Sequence, residues 1–515
     1  MDDEIYPLSK KPVVRFGGYR FIENSHRSVN SNFPHNSRKE YIPPEENLIF
    51  EVCPHLHTDK ITKVSSPRIS TTSSDVLPDD ILIRIFRFFH PIDYIHKFAL
   101  VSKRWYSLSR TPFLWTDLRV IVSENSLHCD ALRNFLNEVQ SGIRRLCIRL
   151  RTDTSNRRIL HALPELLDKI THLDMGHFDG LSTVIIVKIS HCFPNIRSLN
   201  FYRAELHLAS DEVADFNAAF FDETVFRNLQ RFICFHNSTS GVQHPFLNAL
   251  MQWNRNLVYL DLQNVWGISE ICNAPFAETL TTLHTGVCDD KDFSAICNLE
   301  NVKELWITSL YVPNKDILKL KILSKLEHLH LETVSHGIKE ENLVRLFELP
   351  ETEKNSVFPS KLKCLRFGVH DDENIAFPAT VIDTFTRSCP DLESLNICGN
   401  RLIDENGLAM IVGRLRQLRF LNIYASTDGM NNILENLSPN SLPKLQFLRL
   451  RHTPVCGELL HSMALSRRSL IINTHPNFIV TFKIVDGIPL FSSKFSANMN
   501  LIENGFREFP GFCCV

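Results

Sequence analysis

A short apolar pattern recurs through most of this chain of 515 residues and restricts its fold more than any other feature. The pattern L-x-x-L-x-L, with other apolar residues replacing some of the leucines, begins at Ile143, Ile170, Ile196, Leu229, Leu257, Leu280, Val302, Leu326, Leu362, Leu392, Leu418 and Leu445. Successive copies start between 22 and 36 residues apart. One such segment cannot hide its own leucines, whereas stacked copies bury them in a continuous core. The pattern therefore predicts a solenoid whose short strands form a parallel sheet.

The segments between the predicted strands have the spacing of helices or irregular turns. In "NGLAMIVGRL", for example, Leu408, Ile411, Val412 and Leu415 fall at helical intervals. A sheet of parallel strands with helices or turns between them is an α/β fold.

One copy of the pattern is close to a known repeat. The stretch "CPDLESLNICGNRLIDENGLAMIVGRL", Cys389 to Leu415, resembles the cysteine-containing leucine-rich repeat of F-box proteins, although Val265 and Ala204 fill the family's Asn or Cys position elsewhere. The resemblance implies a leucine-rich-repeat solenoid of about twelve repeats over residues 121–475, with strands on its concave face and helices or turns on its convex face. Residues 476–515 lack the pattern and are expected to form a C-terminal cap and tail.

An apolar helix is predicted ahead of the repeats, in "LPDDILIRIFRFF" from Leu77 to Phe89. Pro78 suits the first turn of a helix, and Asp79 and Asp80 complement the helix dipole there. Seven of the eleven residues from Asp79 to Phe89 are apolar, so that only a narrow stripe is polar. An apolar surface of this size on so short a segment indicates a partner surface. Alternatively, these residues pack on the neighbouring domain.

The wider stretch "LPDDILIRIFRFFHPIDYIHKFALVSKRWYSLSRTPFLW" resembles the F-box. It departs from the family where Ser102 replaces a common Cys and Phe89 replaces a usual Leu. The resemblance implies a three-helix module over residues 74–120 that docks on the Skp-family adaptor of a cullin-RING ubiquitin ligase. The adaptor-binding residues that it implies are Leu77, Pro78, Ile81, Ile85, Phe86, Phe89, Leu100, Val101 and Trp105.

Composition argues against several other classes of protein. With 56 Lys and Arg against 58 Asp and Glu, the net charge of -2 gives no reason to expect nucleic acid as a partner. The absence of an apolar run of 18 residues and of a signal peptide predicts no membrane association, and the scattered cysteines favour a reducing compartment, either cytoplasm or nucleus or both. Residues 1–73, rich in Ser, Asn and Pro, are expected to be a disordered arm.

Motifs of catalysis and of metal binding are missing from the sequence. Neither the phosphate-binding glycine loops nor the zinc-protease and serine-hydrolase motifs occur. Cys53, His55 and His57 lie close together but lack a fourth ligand for a metal. We therefore predict no catalytic residue, no cofactor and no metal.

Side chains that alternate with the buried leucines should face the concave surface. The aromatic, histidine and arginine residues in these positions are the candidate target-binding residues, because binding hot spots favour aromatics and arginine. They are Tyr259, Trp306, His330, Phe420, Tyr424, Phe447, Arg449 and Arg451. The last five fall on two adjacent predicted strands and favour an acidic or phosphorylated peptide, unless the tail from Asn498 to Val515 fills this groove.

Two functions are compatible with these features. The first is a substrate receptor, in which the F-box binds the ligase and the repeats hold a target protein of unknown identity. The alternative is a non-degradative leucine-rich-repeat scaffold that recruits the adaptor. An enzyme with an unrecognised site is a third hypothesis.

Overall fold

The computed structural model describes the chain in segments. The described residues are 15–16, 19–20, 77–89, 94, 97–122, 136–137, 139–150, 167–176, 178, 181–202, 204, 206–207, 225–234, 245–263, 268–334, 338–349, 358–368, 377–397, 403, 405–424, 441–451, 470–475, 478–485 and 488–495. They fall into two compact units, residues 1–229 and residues 230–515.

Little of the expected N-terminal arm belongs to the described residues. Its described part is an antiparallel pair of two-residue strands, β1 (Arg15–Phe16) and β2 (Tyr19–Arg20). The remainder of residues 1–73, including Cys53, His55 and His57, lies outside them, so that the expectation of disorder stays a prediction.

A helical module opens the described part of the first unit. It consists of α1 (Asp79–Phe86), a 3-10 turn (Phe98–Leu100), α2 (Lys103–Ser109) and a second 3-10 turn (Pro112–Trp115). Helix α1 has Asp79 and Asp80 in its first turn, as the sequence predicted, but it begins after Pro78 and ends at Phe86, whereas the predicted helix included Pro78 and extended to Phe89.

The module has an aromatic core of its own. Phe86 is completely buried, and its ring centre lies 4.4 Å from that of Phe98 and 5.1 Å from that of Trp105. Tyr94 and Trp115 are also buried, with their ring centres 5.7 Å apart. These rings join the two helices and the two turns, which explains how so short a module holds a defined shape.

Ser102, which departs from the F-box pattern, caps helix α2. Its side-chain oxygen accepts a hydrogen bond from the backbone N–H of Trp105 at 3.1 Å.

We expect Ser102→Ala to lower the free energy of unfolding by about 1 kcal/mol, because one helix N–H then loses its acceptor. Chemical denaturation measures this loss. Ser107→Ala, an exposed change within the same helix, is the control, and equal losses in the two variants would contradict the capping role.

Strands of the first repeats follow the module in the same unit. They and the helix between them are β3 (Asp117–Val122), β4 (Arg145–Leu150), β5 (His172–Asp174), β6 (Leu181–Ser182), α3 (Thr183–Cys192), β7 (Ser198–Phe201) and β8 (Leu206–His207). Strands β3, β4, β5 and β7 pair in parallel, and β6 pairs with β8. Strand β3 extends across residue 120, the predicted end of the F-box.

The second unit continues the same alternation. Its strands and helices are β9 (Arg231–Cys234), α4 (Pro245–Trp253), β10 (Tyr259–Leu262), β11 (Thr282–Cys288), α5 (Asp290–Ile296), β12 (Glu304–Leu310), β13 (His328–Val334), α6 (Glu340–Phe347), β14 (Cys364–Phe367), α7 (Ala379–Ser388), β15 (Ser394–Ile397), α8 (Glu405–Arg414), β16 (Phe420–Tyr424), β17 (Phe447–Arg451), β18 (Ile471–His475), β19 (Phe478–Val485) and β20 (Ile488–Phe495). Two 3-10 helices, Ser269–Asn273 and Asp316–Ile322, stand where other repeats have an α-helix.

The strands confirm the predicted repeat. A strand begins two residues after each of the twelve pattern positions, and the residue at every one of these positions is buried. In the second unit the central leucines stand in register from Leu260 on β10 to Leu448 on β17 and are at most 1% exposed. Strands β9 to β18 are parallel, whereas β18, β19 and β20 pair antiparallel, the last two within the predicted cap. No helix in the described segments is long and apolar enough to cross a membrane.

Candidate interaction surfaces

The first candidate surface is the apolar outside of the helical module. Of the residues predicted to bind the adaptor, Leu77 is 36% exposed, Phe89 46%, Leu100 64% and Val101 57%. Pro78 is exposed, and Ile81, Ile85 and Trp105 are half-buried. Phe86 differs from the rest because it is completely buried, so that it shapes this surface from beneath and does not contact a partner.

Three exposed aromatic residues extend this surface and were missed from the sequence. They are Phe88, Tyr106 and Phe113. The guanidinium of Arg87 lies 4.7 Å from the ring centre of Phe113, and that of Arg110 lies 4.7 Å from the ring centre of Tyr106. Phe88, Tyr106 and Phe113 are not among the residues that carry the resemblance to the F-box. Only their apolar character could have identified them from the sequence.

Arg104 fixes the N-terminal edge of the same surface. Its Nε donates a hydrogen bond to Asp79 Oδ1 at 2.8 Å, and a second guanidinium N–H donates to the carbonyl of Leu77. These bonds tie the residues before α1 to helix α2. Leu77 and Pro78 are thereby held in a defined position although both are exposed.

The second candidate surface lies on the sheet of the second unit. The side chains on either side of the leucine column point to the opposite face, because side chains alternate along a strand. There β9 to β14 bring together a group of charged, aromatic and histidine side chains, which we name the central cluster. Its members are Arg231, Tyr259, Asp261, His284, Glu304, Trp306, His328, His330, Glu332 and Arg366.

His284 is the ionic centre of this cluster. Its Nδ1 lies 3.2 Å from Asp261 Oδ2, and its Nε2 lies 3.2 Å from Glu304 Oε1. Burial disfavours the charged imidazole, but the hydrogen bonds with Asp261 and Glu304 outweigh it and raise the pKa of His284 to about 9. Burial also opposes ionisation of Glu304, yet the bond from His284 holds the pKa of this carboxyl below its ordinary value. Buried His284 is therefore protonated at neutral pH between buried Asp261 and half-buried Glu304, and we name these three groups the charged triad.

A row of rings runs across the neighbouring strands. The ring centre of Trp306 lies 5.2 Å from that of His284 on one side and 5.2 Å from that of His330 on the other. The guanidinium of Arg366 lies 5.7 Å from the centre of Trp306, and its NH1 lies 3.2 Å from Glu332 Oε1. His330 is completely buried, which places its pKa well below the ordinary value and keeps the ring neutral.

Four polar atoms of the central cluster have no hydrogen-bond partner among the described residues. They are Trp306 Nε1, His328 Nδ1, His330 Nδ1 and Glu332 Oε1, and each is inaccessible to solvent, although Glu332 Oε1 lies within ion-pair distance of Arg366. The Trp306 side chain as a whole is buried. An unpaired polar atom in such a place costs about 1–3 kcal/mol, so that its retention needs an explanation.

The predicted target-binding residues separate into two groups. Tyr259, Trp306 and His330 belong to the central cluster. Phe420 and Phe447 stack on the adjacent strands β16 and β17, with ring centres 5.0 Å apart. For the remaining three, Tyr424, Arg449 and Arg451, the structure describes the backbone but not the side chain. Their role in binding stays a prediction.

Four members of the cluster were missed from the sequence as site residues, namely Arg231, His284, Glu304 and Glu332. Asp261, His284, Trp306, His330 and Arg366 occupy the same position, directly after the central leucine, in five successive strands. Aligning that position in every repeat would have found His284.

Comparison with protein families gives a match to the helical module. A model described as F-box-like matches residues 74–120. No curated protein matches the chain significantly.

Solved structures with a similar arrangement come from distant proteins. A leucine-rich-repeat protein of Leptospira interrogans is 16% identical, with a TM-score of 0.38, over 72% of this chain and 92% of its own. An internalin, InlF, of Listeria monocytogenes is 14% identical, with a TM-score of 0.39, over 68% of this chain and 94% of its own. A plant peptide hormone receptor, RGFR1, is 14% identical, with a TM-score of 0.29, over 70% of this chain and 50% of its own.

The family match and the repeated parallel strands agree with what the sequence predicted. Such an architecture is typical of non-catalytic proteins that act as adaptors or bind other proteins. The chain therefore carries an F-box-like domain followed in sequence by leucine-rich repeats.

Proposed function

We propose that this protein is a substrate-recognition subunit of a Skp-cullin-F-box ubiquitin ligase. The F-box-like module binds the Skp-family adaptor and, through it, the cullin and RING subunits. The leucine-rich repeats hold a target protein for ubiquitin transfer and proteasomal degradation. We propose that the protein acts in the cytoplasm, the nucleus or both.

The observation that supports the proposal is the exposed apolar surface of the module. Leu77, Phe88, Phe89, Leu100 and Val101 are exposed, although an aromatic core fills the interior of the same module. Exposed apolar side chains grouped on one small module indicate a protein-binding surface. Because the core holds the helices in place, the surface is preformed and binding requires little ordering.

The chain itself supplies no chemistry in this proposal. It raises the local concentration of a target lysine at the ubiquitin-carrying subunit, which converts a bimolecular encounter into an effectively unimolecular one.

The test is the joint replacement of Leu100 and Val101 by Asp. We expect co-purification with the Skp-family adaptor to fall at least about a hundredfold, because two charges enter a desolvated apolar interface. Both side chains are more than half exposed, so that the module should remain folded. Ile322→Asp, at an apolar residue of the second unit that is likewise more than half exposed, is the matched control and should bind the adaptor normally.

Undiminished adaptor capture by the double variant would contradict the proposed interface. The scaffold alternative is separated by the fate of the target. If the protein is a substrate receptor, replacing Leu100 and Val101 should lengthen the half-life of the target in cells. If it is a non-degradative scaffold, the same replacement should leave the half-life of the target unchanged.

A further inference from the structure

We propose that the central cluster binds an uncharged segment of the target protein and that a side-chain amide of that segment, from Asn or Gln, accepts a hydrogen bond from Trp306 Nε1. The inference rests on the proposed function, since it specifies where on the repeats the target binds and with what chemistry.

The first argument is the unpaired donor. An indole N–H can only donate, and that of Trp306 meets no acceptor among the described residues. Its ring is fixed between those of His284 and His330, each at 5.2 Å between ring centres. A donor that is fixed and unpaired in the free protein gains a full hydrogen bond when a ligand supplies the acceptor.

The second argument is the character of the neighbouring histidine atoms. His328 Nδ1 and His330 Nδ1 also lack a partner among the described residues. Burial lowers the pKa of both rings, so that each is neutral and carries one donor and one acceptor nitrogen. A primary amide also carries both, one carbonyl oxygen and one NH2 group. It therefore matches the indole and the neutral imidazoles together.

The third argument is charge. Protonated His284 is paired with Asp261 and Glu304, and Arg366 is paired with Glu332. Arg231 lies 3.5 Å over the ring of Tyr259 and adds its positive charge to the field that favours ionised Glu304. Three positive charges thus balance three negative ones. A phosphate or carboxylate would have to break a buried pair, which is costly, whereas an amide leaves these pairs intact.

Access to the indole N–H requires a neighbouring side chain to move, because this atom is inaccessible to solvent. We expect that side chain to be Arg366, which borders Trp306 and is 15% exposed, against 9% for His284. Displacement of Arg366 from the ring admits the ligand, and the ion pair with Glu332 limits how far it moves.

The experiment uses the full chain, co-purified with the adaptor, to select short random peptides displayed on phage. We expect the wild-type protein to enrich peptides that share an Asn or Gln. Trp306→Phe should bind the enriched peptides about tenfold more weakly, the loss expected from one buried hydrogen bond. Trp253→Phe makes the same chemical change on an exposed residue of helix α4 and should bind like the wild type.

Synthetic peptides then test the chemistry. Exchanging the shared amide for the corresponding acid, or for Ala, should weaken binding to the wild type by about tenfold. Tighter binding of the acid would overturn the proposal in favour of an anionic ligand. Equal binding by Trp306→Phe, or no enrichment by the wild type over an empty support, would also overturn it.

A measurement on the wild type covers the case in which Trp306→Phe does not fold. Nitrogen-15 labelling of tryptophan gives one indole resonance for each of the 5 tryptophans, and variants at the other four assign Trp306 by elimination. The selected peptide should shift the Trp306 resonance. Binding without that shift would overturn the proposal. Adaptor capture is measured in the same preparations, and its failure would count against the proposed function and not against this site.

Discussion

Gly142→Ala is expected to destabilise the first unit by more than about 3 kcal/mol. A β-carbon at Gly142 would lie 1.7 Å from the carbonyl oxygen of Pro112 and 2.2 Å from its carbonyl carbon. Both are backbone atoms, so that no side-chain rotation relieves the clash. Two segments of main chain must separate.

The contact at Gly142 connects the helical module with the first repeat. Pro112 begins the 3-10 turn that contains the buried Trp115. Two residues beyond Gly142, the N–H of Arg144 donates to the carbonyl of Thr116 at 2.9 Å. Separating these segments therefore loosens the junction between the helical module and strand β4. We expect weaker adaptor binding as a secondary consequence.

Gly413→Ala is the matched control for this change. Gly413 lies in helix α8, and a β-carbon there would meet nothing within 4 Å. Alanine in this helix should leave stability unchanged or raise it by up to about 1 kcal/mol. Hydrogen exchange of β4, together with chemical denaturation, measures both variants. Similar exchange rates in Gly142→Ala and the wild type would show that the two backbones can move apart freely.

The sequence predicted the strands well because one physical requirement governs them. Every repeat must bury its leading and central apolar residues, and this requirement leaves a periodic mark. Leu329 and Leu365 stand in register on adjacent strands although the connection between their repeats is the longest of the series. The pairing of strands therefore follows from the pattern and not from the length of the connection.

Other features were not predictable, because they depend on contacts between residues far apart in the chain. The sequence shows that residue 142 is glycine but not that the backbone of Pro112 lies against it. It predicts an apolar helix from Leu77 to Phe89 but not that the helix ends at Phe86, or that Phe98 and Trp105 cover Phe86 and leave Phe88 exposed. The pattern of apolar residues specifies which segments pack, and the remaining contacts decide which side of a helix stays free.

The triad of Asp261, His284 and Glu304 in the second unit also depends on contacts between residues far apart in the chain. Asp261, His284 and Glu304 come from three successive strands and meet only when the sheet has formed. Each is an ordinary polar residue in its own repeat. Their combination makes the stability of this unit depend on pH.

We expect the second unit to lose stability as the pH rises from about 6.5 to about 9. The pKa of His284 is raised from its ordinary 6.5 to about 9 in the folded protein, so that folding takes up a proton in this interval. The stabilisation is fully present below pH 6.5, decreases above it, and is lost beyond pH 9. Its full size is about 3 kcal/mol, the free energy that corresponds to this rise in the pKa of His284.

His330 contributes the opposite dependence at lower pH. Its burial keeps the pKa of this ring well below 6.5, so that the unfolded chain binds a proton that the folded chain does not. Stability from this group is present above pH 6.5 and decreases as the pH falls. The second unit should therefore be most stable near pH 6.5, between the ranges in which the two histidines act.

His284→Gln tests the alkaline half of this dependence. Glutamine can still donate a hydrogen bond but carries no proton that titrates, so that the loss of stability between pH 6.5 and pH 9 should disappear. At neutral pH the variant should be less stable by about 3 kcal/mol, because buried Asp261 and half-buried Glu304 lose their positive partner. Hydrogen exchange of β10 to β12 across this pH range measures both effects in the second unit.

The control is His191→Gln, at an exposed histidine of helix α3 in the first unit. In this variant the stability of the second unit should depend on pH with the same slope as in the wild type. The same slope in His284→Gln, or a His284 ring found neutral at pH 7 by NMR titration, would contradict the charged triad at the centre of this sheet.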